Sequence, residues 1–146
     1  MSDAYREYFR YMEQLGKTLE QLTELAKEKT AAVRRDDLLA VDGCMKREQA
    51  LSLSLRSLDK KRETLLAGLG MKDSRLSGLV SQCPDELKPE ARAAEEKLRK
   101  QYTLYRGAAD VARTTLECNL HQIEKLLADE PEAPMNGGST IADIRA

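Results

Sequence analysis

The feature that most constrains the fold of this chain is a run of apolar residues that recurs every three or four positions. Between residues 5 and 33 only Lys29 interrupts it, and its members are Tyr5, Tyr8, Met12, Leu15, Leu19, Leu22, Ala26 and Val33. Such spacing places side chains on one stripe of an α-helix, and a sustained stripe is the seam of a coiled coil. The sequence therefore predicts a long first helix, although Gly16 within it should cost about 1 kcal/mol relative to Ala.

Two further segments have the same spacing and predict two more long helices. The second seam consists of Leu38, Val41, Met45, Leu51, Leu55, Leu58, Leu65 and Leu69, with Arg62 at one position. The third follows Pro84 and Pro89, reaches Asp129, and consists of Leu98, Tyr102, Tyr105, Ala109, Ala112, Leu116, Asn119, Ile123 and Leu126. We expect Arg62 to lay its stem along the seam and keep its head in water or near an acid. Asn119 either fixes the helix register or is solvated at a loosely packed end.

Helix boundaries follow from the residues between the seams. Asp36 or Asp37 is a candidate cap for the second helix, but the segment 34–37 has no Pro or Gly, so a continuous helix remains an alternative. Gly68 or Gly70 is a natural cap at the end of the second helix. Residues 72–80 predict a connector with one short helix that begins at Asp73 or Ser74.

The fold class is therefore all-α: an elongated antiparallel helical bundle or coiled coil of three long helices, with a short connector helix and a flexible C-terminal tail. Residues 1–130 form the bundle domain. Residues 131–146, rich in Pro and Gly, are expected to be disordered. Tyr5, Tyr8, Phe9 and Tyr11 either close one end of the bundle or form a partner-binding patch. A seam packs equally well within one chain or between two, so a monomer and a homodimer both remain open.

Composition excludes several classes of function. The 24 Lys and Arg residues nearly cancel the 25 Asp and Glu residues and are mixed with them, which argues against a nucleic-acid partner. No stretch approaches the roughly 20 apolar residues of a membrane span, and residues 1–6 lack the features of a signal peptide, so we expect a cytoplasmic protein without membrane insertion. Cys44, Cys83 and Cys118 are expected to be reduced thiols that serve as small apolar fillers.

Neither a catalytic site nor a cofactor site is indicated. His121 is the one histidine, and together with Cys118 it supplies two of the four ligands that a closed metal site needs. The sequence contains no P-loop, dinucleotide fingerprint or HExxH motif. A further hypothesis is a metal-dependent helical-bundle enzyme. The sequence lacks the Glu-x-x-His pairs of di-iron bundles, which argues against the di-iron version. We therefore predict no enzyme activity, no metal and no cofactor.

The centre of the chain resembles the FlgN-like flagellar export chaperones. The resemblance is carried by RDDLLAV at residues 35–41, KREQAL at 46–51, and the Arg62 that precedes the pair Leu65-Leu66. In helix order and helix length it extends over nearly the whole chain. Each element on its own is common in coiled coils, and their order and spacing make the likeness.

The resemblance implies a cytoplasmic chaperone that binds the terminal helices of hook-associated proteins, prevents their premature assembly and delivers them to the flagellar export gate. The C-terminal part that makes these contacts in the family corresponds here to Leu120, Ile123, Leu126, Leu127, Ile141 and Ile144. The tail has no Tyr, so a family contact that depends on an aromatic residue there is not expected. The alternative hypothesis is a coiled-coil adaptor or scaffold with no role in secretion.

Overall fold

A computed structural model describes residues 2–71 and 76–129, and these residues are almost entirely helical. They form α1 (Ser2–Arg34), α2 (Leu38–Gly68), α3 (Leu76–Gln82), a 3₁₀ turn (Asp85–Leu87) and α4 (Lys88–Asp129). No strand occurs within these ranges. The predicted all-α class, with three long helices and a short connector helix, is confirmed. With 33 and 42 residues, α1 and α4 extend over about 50 and 63 Å.

The turn between α1 and α2 decides between the two alternatives left open by the sequence. Asp36 has a left-handed backbone with φ of 56°, which ends α1. Asp37 is the N-cap of α2, because its Oδ1 accepts a hydrogen bond from the Ala40 amide at 3.1 Å. The two helices are therefore separate.

The end of α2 is a glycine cap of the predicted kind. Gly70 has φ of 72°, a conformation that costs glycine little. The Met71 amide donates to the Leu66 carbonyl at 2.9 Å and the Gly70 amide to the Ala67 carbonyl at 3.1 Å, which together make a Schellman motif. The predicted start of the connector helix, at Asp73 or Ser74, lies outside the described residues.

Helix α1 is the centre of the arrangement, because it packs against both other long helices. Helix α2 runs antiparallel to α1, because Lys61 contacts Gln14 whereas Arg47 contacts Glu28. Helix α4 runs parallel to α1, because Gln101 contacts Glu20 and Asn119 contacts Asp36. Within the described ranges no Cα atom of α2 lies within 8 Å of one in α4. Along α1 the backbones of α2 and α4 are therefore separated by a space, which we call the gap, and side chains of both helices line it.

The main core lies at the end of the bundle where α1 begins. The four aromatic residues of the first turns are buried there, and the Tyr5 hydroxyl donates to the Gln82 carbonyl at 3.3 Å. The core cluster also includes Met12, Leu19, Leu66, Met71, Leu79, Cys83, Leu87, Ala91 and Leu98. Of the two interpretations of these aromatics, closure of one end of the bundle is the one that their burial supports.

Two polar features of the sequence have structural explanations. Lys29, the interruption of the first seam, forms a half-buried ion pair of 2.7 Å with Glu48 of α2. Cys44 and Cys83 are buried fillers, as predicted, but Cys118 is exposed. The interpretation of all three cysteines as fillers is therefore wrong for Cys118, because α4 turns that position away from α1.

Candidate partner-binding surfaces

The residues predicted to bind a partner at the end of α4 do not share one environment. Leu120 is only 3% exposed. Together with half-buried Ile123 it lines a small cavity of about 40 Å³ beneath the junction of α1 and α2. Leu126 is 69% exposed, and Leu127 is half-buried. Ile141 and Ile144 lie outside the described residues, so the composition of this site stays a prediction.

Asn119, one helical turn before Ile123, links α4 to that junction. Its Nδ2 donates a hydrogen bond to Oδ1 of Asp36 at 3.1 Å. Asp36 is the residue whose left-handed conformation ends α1. The contact ties a polar seam position to one specific turn, which favours the register-fixing interpretation of Asn119.

Large apolar side chains remain exposed along α2 and α4. Those on α2 are Leu38, Leu39, Met45 and Leu53, and those on α4 are Tyr102, Leu104, Val111 and Leu126. Leu39 is the most exposed, at 87%. Exposed apolar residues that concentrate on particular elements are typical of protein-binding surfaces.

One cleft lies between all three long helices, near the aromatic end of the bundle. It has a volume of about 550 Å³ and is lined by Tyr8, Tyr11, Leu15, Leu55, Arg56, Asp59, Arg62 and Leu98. The two tyrosines are buried at its base, whereas Arg56 and Asp59 are exposed at its rim. We call this space the α2–α4 cleft.

The polar groups of the α2–α4 cleft influence one another. Burial, and after it the neighbouring Tyr8, raises the pKa of Tyr11 to about 12. Partial burial is the largest single influence on Arg62 and lowers its pKa. The hydrogen bond to Tyr8 and the charge interactions with Tyr8, Tyr11 and Asp59 together outweigh it, so the pKa of Arg62 is raised. Near neutral pH the Tyr11 phenol is therefore protonated and the Arg62 guanidinium group is charged, and both are hydrogen-bond donors.

A second groove runs between α1 and α4 on the side away from α2. It has a volume of about 490 Å³ and is lined by Lys27, Thr30, Ala31, Arg34, Thr103, Leu104, Gly107, Ala108 and Val111. No heavy atom lies within 4 Å of the position that a Cβ on Gly107 would take. Small residues and open space give this groove a flat floor, with Leu104 and Val111 exposed beside it.

Comparison with known families decides the class of protein. The model of the family described as "FlgN protein" matches residues 1–128, most of the chain. The chain belongs to the FlgN family. Comparison with curated proteins and with solved structures gives no match.

Membership of the FlgN family implies a role as a flagellar export chaperone. Chaperones of this family bind flagellar hook-associated proteins. The resemblance read from residues 35–66 is thereby confirmed. The match ends at residue 128, so it includes α4 almost to its last residue and excludes the tail.

Within residues 2–71 and 76–129, no group of three or more His, Cys, Asp or Glu side chains could hold a metal ion in this FlgN-family protein. Cys118 and His121 are both exposed on α4. No helix in the described part of the chain is long and apolar enough to cross a membrane.

The α2–α4 cleft of this FlgN-family chain could not be predicted from the sequence. Its residues come from three helices, and neither Arg56 nor Asp59 interrupts a seam. Arg62 did interrupt a seam, and that was the one signal available. The sequence does not show that α2 lies beside Tyr8, so the position of Arg62 in a seam predicts only a solvated or ion-paired arginine.

Proposed function

We propose that this chain is a cytoplasmic export chaperone that binds hook-associated flagellar proteins, keeps their terminal helices from assembling early and delivers them to the export gate. The FlgN-family match supports the class. The observation that carries the binding mode is the gap between α2 and α4, which share no close backbone contact within the described ranges. We infer that an added helix lies in this space.

The mechanism is helix addition and involves no covalent chemistry. An amphipathic helix that lies along α1 between α2 and α4 buries its own apolar face against exposed side chains such as Met45 and Tyr102. In that state the same face cannot pack against neighbouring subunits. Release at the export gate then requires only that the added helix be withdrawn, because the three long helices pack without it.

The predicted partner site at the end of α4 is part of this proposal in a modified form. We assign direct contact to Leu126, with Ile123 and Leu127 beside it, and to Ile141 and Ile144 of the tail. Leu120 supports these residues from beneath, since it is already buried. A deletion that removes Leu120 would open the interior, so it cannot test binding alone.

The test is size-exclusion chromatography with light scattering on the chain, alone and mixed with the terminal-helix region of a hook-associated protein from the same organism. We expect a stable complex of defined stoichiometry. Deletion of residues 130–146 and the substitution Leu126→Ser should each weaken it, because the deletion removes Ile141 and Ile144 of the proposed site and the substitution removes an exposed apolar side chain. Leu104→Ser is the matched control, since Leu104 is a similarly exposed leucine of α4 that lies beside the other groove.

Each outcome decides a different part of the proposal. Absence of any complex, together with a stable homo-oligomer, would favour the scaffold hypothesis over the chaperone. A complex that is weakened by Leu104→Ser and unaffected by Leu126→Ser would move the partner site to the groove between α1 and α4. A complex that is lost with the tail supports the proposed site.

A further inference from the structure

The α2–α4 cleft combines positive charge with apolar walls. Arg56 and Arg62 contribute two positive charges and Asp59 one negative charge, so the cleft has a net positive charge. Leu15, Leu55 and Leu98 line the same space. A ligand that complements this surface carries a negative group between apolar groups.

Arg56 is the group best placed to receive such a ligand. It is exposed at the rim, and among the described residues it forms no hydrogen bond or ion pair, whereas Arg62 is already hydrogen-bonded to Tyr8. Guanidinium groups bind carboxylates through two parallel hydrogen bonds, which makes arginine selective for this group. The cleft therefore offers a free guanidinium above a base of tyrosine hydroxyls.

We propose that the α2–α4 cleft receives an acidic side chain, Asp or Glu, that projects from the apolar face of the export substrate's helix. The proposal rests on the proposed function and adds the chemistry by which one part of the substrate helix is selected. An acid on an apolar helix face is unfavourable in isolation, because burial without a partner disfavours its charge. The cleft supplies that partner, so it fixes the register of the helix along α1.

The apolar walls distinguish this ligand from a free anion. Inorganic phosphate would meet the two guanidinium groups but would leave the three leucines without a contact. A helix places apolar residues three or four positions on either side of the acid, within reach of those leucines. The volume of about 550 Å³ is also larger than one anion needs and suits several side chains.

The experiment measures the dissociation constants of synthetic terminal-helix peptides of a hook-associated protein by fluorescence anisotropy. The peptides are used with their natural sequence and with each acid of the apolar face replaced by its amide. They are tested against the natural chain and the variants Arg56→Gln, Arg62→Lys and Lys60→Gln. Lys60 is the matched control, because its replacement removes the same charge from an exposed position of α2 that does not line the cleft.

We expect Arg56→Gln to weaken binding of the natural peptide about 5- to 10-fold, because a partly desolvated charge pair is lost. Lys60→Gln should change it less than about twofold, as expected for a screened surface charge. Arg62→Lys should also weaken binding, since lysine lacks the planar fork. For one amide-substituted peptide, the natural chain and Arg56→Gln should bind equally well.

Three outcomes would overturn the inference. The first is a natural peptide that binds Arg56→Gln as tightly as Lys60→Gln. The second is an effect of Arg56→Gln that no amide substitution in the peptide removes. The third is displacement of the peptide by excess inorganic phosphate alone, which would indicate a general anion site.

If no peptide binds the natural chain, the proposed function itself fails. Arg56→Gln carries the test because an exposed residue can be changed without unfolding the bundle.

Discussion

The side chain of Gln101 in α4 fills the space beside Gly16 that a side chain at that position would need. A Cβ at Gly16 would overlap Oε1 of Gln101, whose Nε2 donates to Glu20 at 2.6 Å. Gly16→Ala gains about 1 kcal/mol of helix propensity but displaces a buried amide that is hydrogen-bonded to a carboxylate, which costs about 1.5–3 kcal/mol. We expect a net loss of about 1 kcal/mol in the free energy of unfolding, measured by urea denaturation.

The control for this prediction is the same substitution in a Gln101→Ala background. With the amide already removed, Gly16→Ala should stabilise the chain by up to about 1 kcal/mol, because only the propensity gain remains. Equal effects of Gly16→Ala in both backgrounds would show that the close approach of Gln101 does not govern the cost.

Tyr11 should make stability depend on pH in the alkaline range. Its pKa is raised to about 12 in the folded chain, chiefly by burial and then by Tyr8, against about 10 in the unfolded chain. The unfolded state therefore loses its proton first, and the stabilisation is complete below about pH 10 and is lost as the pH rises towards about 12.

This shift corresponds to a loss of about 1.4 kcal/mol at about pH 11 relative to about pH 8. Urea denaturation of the natural chain and of Tyr11→Phe at both pH values measures it. The natural chain should lose about that much more stability than the variant. An identical loss in both proteins would contradict the raised pKa.

At the scale of helices, the turn between α1 and α2 depends on one capping side chain. Asp37→Ala leaves the Ala40 amide without its hydrogen-bond acceptor and should lower the free energy of unfolding by about 1 kcal/mol. Asp37→Asn should remain close to the natural chain, because asparagine caps equally well. If Asn is as destabilising as Ala, the charge matters and the cap does not. Chemical denaturation of the two variants distinguishes these cases.

Helix ends could be predicted from the sequence because their determinants are local. Asp37 and Gly70 act within a few residues of their own positions, so their residue types made them candidates. The choice between them and Asp36 or Gly68, and the separation of α1 from α2, came from the structure. The exposure of α2 could not be predicted in this way. Its seam has the same spacing as the other two, yet in this helix only Cys44 and Leu66 are fully buried. The distance between α2 and α4 sets that burial, and it depends on how both helices pack on α1.

The same limit explains what was missed in the candidate site. Lys29 interrupts its seam because Glu48, on another helix, is its partner. The cleft joins Tyr8 to Arg62 across more than 50 positions of the chain, and no periodicity within one helix relates the two. The family resemblance predicted the class of function. The charged residues of the cleft could be identified only from the structure, because the cleft forms where three helices meet.

At the scale of the whole molecule, the two ends of the bundle differ in how much core they contain. The main cluster joins α1, the end of α2, α3 and the start of α4. The buried residues of the opposite end, among them Ala32, Val33, Cys44, Ala112 and Leu120, are not part of that cluster. Leu38, Leu39 and Leu126 are exposed near this end. Opening of a helix costs less where fewer apolar contacts are lost, so the two ends should differ in local stability.

Hydrogen exchange measured by mass spectrometry tests this asymmetry. In the chain alone, amides of residues 38–50 and 120–129 should exchange faster than those of residues 5–19 and 88–98, because the latter flank the main cluster. Addition of a substrate helix should slow exchange most in α2 and α4, on both sides of the gap, and least in the already protected start of α1. Uniform protection along α4 in the free chain would contradict the asymmetry. Slowing confined to the groove beside Leu104 would contradict addition of the helix between α2 and α4.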